Sequence, residues 1–423
     1  MISNANNAWV LFSAVLVMFM TVPALGLFYG GLVKKKNVLA LMMQSFTCLI
    51  VVSLLWVTVG YSLAFSPTEW IPGVLGDFKW ALLNGISPID PSPYTVSDPN
   101  GPVSHLTFVI FQCMFAVITP AVISGAFAER MKFSSYLVFS VLWLFLVYIP
   151  LAHMAWSTNG FFAKHGLMDY AGGTVVEINS GFSALAGVLL LGRRKNLKHL
   201  PPHNLTYTLI GGAMLWFGWF GFNAGSGLAA DGLAANAVLT TNTAAAAAGL
   251  VWAILDWVVQ KKPTILGAVT GAVGGLVAIT PAAGYVTVGG ALLLGASAGA
   301  VCFIFVVFVK SSLGYDDSLD AFGVHGIAGV LGTIGVGLLA SPAITAPFHM
   351  NGGKGFAGLF FGDPHALGIQ IEATVTSMIW AFLGTLAVFA LLEVTMGLRV
   401  TERDEAIGLD ITQHNEKAYT LIE

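Results

Sequence analysis

Apolar runs of about 20 residues recur from one end of this chain to the other, each closed by a cluster of charges or turn residues. A helix of that length crosses a hydrocarbon core of ~30 Å. The pattern predicts eleven helical spans: 8–33, 38–65, 104–128, 134–156, 171–192, 205–226, 236–260, 264–281, 285–309, 321–340 and 370–398. The breaks carry runs such as "KKKN" at 34–37, "ERMK" at 129–132 and "RRKNLKH" at 193–199. Two longer gaps, 66–103 and 341–369, are rich in proline and polar residues and read as external loops.

Composition settles the class. The 423 residues are long enough for two or three soluble domains, but 56% are hydrophobic and only 9% charged, against roughly 25% charged in a soluble protein. The expectation is an all-α polytopic membrane protein, with spans over 1–398 and a tail over 399–423. Orientation follows from where Lys and Arg fall. With the N-terminus outside, fifteen of the eighteen basic residues lie in inner loops or the tail, and only Lys79, Lys164 and Lys354 lie outside. That asymmetry predicts N-out, C-in and an odd number of spans.

Other features exclude more than they assign. The first run has no basic residue before it and no small-residue cleavage site, so it does not read as a signal peptide. Cys48, Cys113 and Cys302 all lie within spans and predict no disulfide framework. The net charge of −3 gives no sign of a nucleic-acid partner, and no P-loop, HExxH or GxSxG motif is present. Neither a metal nor a cofactor is expected. The 49 glycines include ladders such as "GGALLLGASAGA" at 289–300 and "GIAGVLGTIGVG" at 326–337, which let helices approach closely in lipid. Spans 1–5 and 6–10 suit an inverted repeat followed by a final helix.

Against this background one carboxylate stands out. Glu177, in "GGTVVEINSG", lies within the fifth run, and no span interior supplies a basic partner. Ionisable residues inside a membrane are rare and mark substrate or proton paths. His325, in "DAFGVHGIAGV", is the other ionisable group well inside a run. A lone histidine on an apolar face is more often a satisfied core residue, so its weight depends on meeting Glu177. Depth arithmetic does not force that meeting. At ~1.5 Å per residue Glu177 lies about 12 Å from Asp169 on the outer side, and His325 only about 7–8 Å from Asp320 on the inner side. They meet only if the segment before His325 re-enters the membrane or begins deep in a cavity. Asp256, Glu372 and Glu393 are expected towards span ends, within reach of solvent or headgroups. Asp169 suits an N-cap of the fifth span. Phe115, Trp156 and Phe222 lie near outer ends beside small or hydroxyl residues, where an aromatic face attracts a cation.

The chain resembles the ammonium transporters, the Amt/Mep/Rh family, and specifically its Amt branch. The resemblance covers nearly the whole chain and rests on "PALGLFYGGLVKKKNVL" at 23–39, "GAFAERMKFS" at 125–134, "YIPLAHMAW" at 148–156 and "DYAGGTVVEINSG" at 169–181. It continues through "GWFGFNAGS" at 218–226, "TPAAGYVTVGGALLLG" at 280–295, "DAFGVHG" at 320–326 and the tail "GLDITQHNEKAY" at 408–419. The resemblance implies an eleven-helix protomer in the cell (inner or plasma) membrane, assembled as a homotrimer with one pore per subunit. It implies an outer recruitment site for ammonium and methylammonium at Phe115, Trp156 and Ser226. Beneath it, Phe115 and Phe222 would gate a pore lined by Trp219, Glu177 and His325. Asp169 would be a structural acid near the outer site. The family's "GGTVVHIN" reads "GGTVVEIN" here, so Glu177 replaces the first of two pore histidines.

Transport, expected to be electrogenic, is the first functional reading. An ammonium sensor signalling through its tail is the second, disfavoured because only about 25 residues follow the last span, too few for an independent domain. A PII-type regulator at the tail belongs to the resemblance. An intramembrane enzyme lacks a nucleophile or ligand spacing.

Overall fold

The structure, a computed structural model, describes residues 1–195 and 201–419. Lys198, one of the fifteen inner basic positions, and the last four tail residues lie outside the described residues. Among the described residues, ten helices of at least 18 residues have mean hydropathy from 1.2 to 2.6. They are α1 (Asn4–Leu32), α2 (Val38–Phe65), α3 (His105–Phe127), α4 (133–156), α5 (Gly173–Leu191), α6 (Leu205–Gly225), α7 (Gly232–Gln260), α9 (Val288–Leu313), α10 (Phe322–Leu339) and α11 (Pro364–Thr395). The remaining apolar helix, α8 (Ile265–Ile279), has 15 residues, about 22 Å and shorter than the hydrocarbon core. Its path is completed by Thr280–Val286, which is irregular yet buried throughout. Such backbone is tolerated at depth where protein covers it.

Close helix contacts use the glycine ladders. A Cβ built on Gly275 of α8 or Gly295 of α9 would meet the backbone of Ala244, and one on Gly299 the backbone of Ala248. At these points helix α7 is approached by both neighbours through small residues.

Two expectations about acids are corrected. Asp256 is not open to solvent: it is 1% exposed and accepts hydrogen bonds from Thr264 Oγ1 (2.5 Å) and Gln260 Nε2 (3.0 Å). Its carboxylate thus holds the N-cap residue of α8. Glu372 does not sit at a helix end, because α11 begins earlier than expected. Asp363 caps that helix, accepting from the N–H groups of His365 and Ala366. Glu372 nevertheless remains exposed.

The gap 66–103 contains an antiparallel hairpin, β1 (Glu69–Ile71) with β2 (Leu75–Gly76). On the opposite, tail-bearing face, the loops are bound into a cluster. Arg194 pairs with Glu129 (2.9 Å) and Asp316 (2.7 Å), all with nearly buried side chains. Glu129 also accepts from Asn37 Nδ2 at 2.8 Å, and Asn37 Oδ1 accepts from Leu409 N–H in the tail at 2.8 Å. Fully buried Arg130 donates to the carbonyls of Ala128, Gly192 and Asp316 and to Ser318 Oγ. This cluster draws the segment 315–321 into the protein, and that placement decides where α10 starts.

Candidate functional site

Helices α5 and α10 are opened by matching devices. Asp169 accepts from the N–H groups of Gly172 (2.7 Å), Gly173 (2.6 Å) and Thr174 (2.9 Å), and from the Thr174 hydroxyl. These are donors that a helix start leaves without partners. Asp317, fully buried, accepts from Phe322 N–H at 2.8 Å. In both cases the bonded N–H of Thr174 or Phe322 lies five residues after the acid, and the buried ionisable residue, Glu177 or His325, lies eight after. Gly172 adopts φ 111° at the entry to α5, a left-handed conformation that glycine takes without steric cost.

The crossing of these helices is reciprocal. A Cβ on Gly181, four residues past Glu177, would collide with the backbone of Gly326. A Cβ on Gly329, four past His325, would lie 2.9 Å from Glu177 Cβ and 3.0 Å from Ile178 N. Backbones this close bring the two ionisable side chains together: His325 Nδ1 lies 2.7 Å from Glu177 Oε2, with the side chains 7% and 1% exposed. This is the local symmetry an inverted repeat requires. The meeting left open by depth arithmetic occurs, with Asp316, Asp317 and Ala321 buried just ahead of α10.

Three cavities lie in sequence around this pair. The first, ≈ 240 Å³, is remote from the tail and is lined by Phe115, Trp156, Ser226, Gln112 and Tyr170 among others. The second, only ≈ 20 Å³, is walled by apolar side chains and contains Phe222, Trp219, Glu177 and His325. The third, ≈ 470 Å³ on the tail side, shares Phe28, Tyr29, Val273 and His325 with the second. Between the first and second, the Phe115 and Phe222 rings stack with centroids 4.3 Å apart and planes at 28°.

Each side chain is set by a neighbour. Trp156 stands edge-on to Phe115, with centroids 5.8 Å apart, and its indole N–H donates to the Asp169 carbonyl at 3.3 Å. Ser226 Oγ donates to Phe222 O at 2.8 Å, which commits its proton and leaves oxygen lone pairs free. Asp169 itself is occupied by backbone donors, so its carboxylate shapes the α5 entry. Trp219 Nε1 donates to Thr280 Oγ1 at 2.9 Å, and that hydroxyl donates to Leu276 O at 2.8 Å. Thr280→Val keeps the shape and strands the buried indole N–H. The expected cost is about 1–3 kcal/mol, read as a lower unfolding midpoint in detergent.

One pair, a buried histidine with a half-buried acid, escaped sequence reasoning. His153, three residues before Trp156, is fully buried and bonds Ala64 O (2.8 Å) and Glu69 Oε1 (2.9 Å). Only the polar residue in "PLAHMAW" signalled it, and its partner sits on β1, far away in sequence.

The sequence matches the Ammonium Transporter Family over residues 8–419. It is 47% identical to the ammonium transporter of Bacillus subtilis (strain 168) over 414 residues, covering 98% of each chain. Among solved structures it is similar to Saccharomyces cerevisiae Mep2, at TM-score 0.86 and 32% identity, covering 95% of this chain and 90% of that one. A structure described as a Sensor Amt Protein has TM-score 0.85 and 28% identity, covering 97% and 98%. With a family match and a relative that span almost the entire chain, this polytopic membrane protein belongs to the Ammonium Transporter Family.

Proposed function

We propose that this protein carries ammonium and methylammonium across the cell membrane, separating the proton from the nitrogen on the way. The observation that carries the reading is the row of three cavities, interrupted by the Phe115–Phe222 stack, with a buried Glu177–His325 pair in the narrow middle. With the N-terminus outside, the first cavity is the entrance. There the faces of Phe115 and Trp156 attract a cation, and Ser226 supplies a hydroxyl oxygen. The middle cavity has room for about one water-sized molecule. A bare cation loses its hydration there at a cost of many kcal/mol, whereas neutral ammonia does not. The proton therefore needs its own carrier.

Glu177 and His325 suit that task. His325 bonds Glu177 through Nδ1, and its Nε2 has no protein partner among the described residues. When Nδ1 carries the hydrogen, Nε2 turns a lone pair to the lumen. A proton taken up at Nε2 makes an imidazolium held against a carboxylate, which can then receive the Nδ1 proton. A histidine in place of Glu177 offers no such fixed negative partner.

Charge movement after an ammonium jump, in proteoliposomes, tests the assignment. Glu177→Gln preserves shape and can still accept from His325 Nδ1, but it removes the carboxylate's charge and its capacity to take up the proton. Losing the charged partner of that bond, at ~1.5–3 kcal/mol, predicts currents lower by about 10–100-fold. Currents and a pH profile equal to wild type would remove Glu177 from proton handling. The names of curated relatives favour transport over sensing, and uptake of radiolabelled methylammonium separates the two directly. A homotrimer belongs to the same reading. A PII-type regulator would approach the tail face.

A further inference from the structure

The entrance cavity holds two polar groups that the cage does not use. Gln112 and Tyr170 are 9% and 8% exposed, and both line the ≈ 240 Å³ cavity with Phe115, Trp156 and Ser226. Among the described residues, Gln112 Oε1 and the Tyr170 hydroxyl have no hydrogen-bond partner. Buried polar atoms in native proteins are nearly always paired, and an exception points to a missing water or ligand. The placement is specific. Gln112 precedes Phe115 by three residues on α3 and so shares its face. The Tyr170 ring is held against Gly284 and, edge-on, against Tyr285 at 5.6 Å. Its hydroxyl reaches the turn after Ser226, where a Cβ on Gly227 would lie 2.6 Å from it. A glycine there leaves space beside the hydroxyl.

We infer that Gln112 Oε1 and the Tyr170 hydroxyl are specificity-determining acceptors for the N–H groups of ammonium that the cage leaves unpaired. This rests on the transport reading above and deepens it. Ammonium carries four N–H groups. The two aromatic faces are diffuse acceptors and the Ser226 oxygen is one directed acceptor; the two unpaired oxygens bring the directed acceptors to three. Methylammonium has three N–H groups and can turn its methyl toward a missing acceptor. A potassium ion takes the same oxygens as ligands and, having no N–H, responds to their number and charge rather than to their direction. The two groups therefore favour ammonium over methylammonium.

Uptake of radiolabelled methylammonium, with ammonium and potassium as competitors, tests this in proteoliposomes containing wild type, Tyr170→Phe, Gln112→Leu or Gln112→Glu. Tyr170→Phe and Gln112→Leu are expected to raise the ammonium concentration for half-inhibition by about tenfold, the loss of one bond to a charged group, while the methylammonium KM moves less than about twofold. Equal shifts for both substrates, or none, overturn the inference, since an ordered water at these atoms would not discriminate between them. Gln112→Glu retains the shape should the leucine variant misfold. Its charge is expected to tighten both nitrogen cations and to admit potassium as a competitor. Unchanged potassium competition in that variant also overturns the inference. Absence of wild-type methylammonium uptake overturns the transport reading itself, so the two failures are distinguishable.

Discussion

Gly181→Val is expected to abolish uptake and to destabilise the fold. Overpacking a core costs about 1–3 kcal/mol when side chains can yield. Here the new Cβ meets Gly326 N and Cα, which are backbone atoms, and lies 3.0 Å from His325 C. Relief therefore requires α5 and α10 to separate, and separation breaks the 2.7 Å Glu177–His325 contact. Even Gly181→Ala is expected to lose most uptake, because the clash begins at Cβ. Gly368, on the exposed side of α11 with nothing within 4 Å of a built Cβ, is the control: Gly368→Ala should leave uptake and thermal midpoint unchanged. Wild-type uptake by Gly181→Ala would show that the crossing tolerates separation and would detach the pair from function.

Arg194→Met should be the most destabilising single change on the tail face. It leaves Glu129 and Asp316 buried without the cation they share, at a cost of about 3–5 kcal/mol. Arg194→Lys should recover only part of this, since an ammonium cannot reproduce the fork that contacts both oxygens of Asp316. The cluster also predicts a pH dependence. Burial pushes the Asp316 carboxyl up, but hydrogen bonds from Arg194 and the charges of Arg130 and Arg194 outweigh it and hold the group down at about 2. Glu129 is likewise lowered: burial opposes, and Arg194 with the Lys34 N–H and Asn37 overcomes it. Both carboxylates are depressed relative to the unfolded chain, so their stabilisation is present above the unfolded values near 4 and is lost as pH falls toward the folded values. Unfolding midpoints measured from pH 7 down to about pH 3 should therefore drop more steeply in wild type than in Arg194→Met. Parallel slopes would place the acid sensitivity elsewhere.

The effects of these two substitutions meet at one place. The Arg194–Asp316 pair holds 315–321 inside, Asp317 starts α10 from there, and the glycine crossing then sets His325 against Glu177. A fault at either end displaces the same pair.

How much of this was legible in the chain depends on whether a feature is set by local composition or by depth. The apolar runs located the helices, because a backbone in hydrocarbon must satisfy its own hydrogen bonds and only an uninterrupted apolar stretch permits that. Glu177 could be singled out because no basic residue shared its surroundings, and burying a lone carboxylate is costly. Asp169 could be assigned to a helix start from its place before "YAGGTVVEI". The errors came from burial and from partners distant in sequence. Asp256 was expected in solvent because it lies near a helix end, yet Thr264 and Gln260 enclose it. Glu372 was misplaced because Asp363 starts α11 sooner. His153 went unremarked because Glu69 lies 84 positions away.

By itself, then, the sequence determined that this is a multi-helix membrane protein, where its helices run, and which buried acid has no lysine or arginine within the spans to pair with. Those properties depend on composition within a single helix length, which hydrocarbon selects directly. Only the tertiary structure decided that Glu177 has a partner after all. The contact depends on how deep α10 begins and how closely two backbones cross. Those distances are set by Arg194 and Asp316 at one end of the loop and by glycines facing each other across 145 positions, Gly181 and Gly326, at the other.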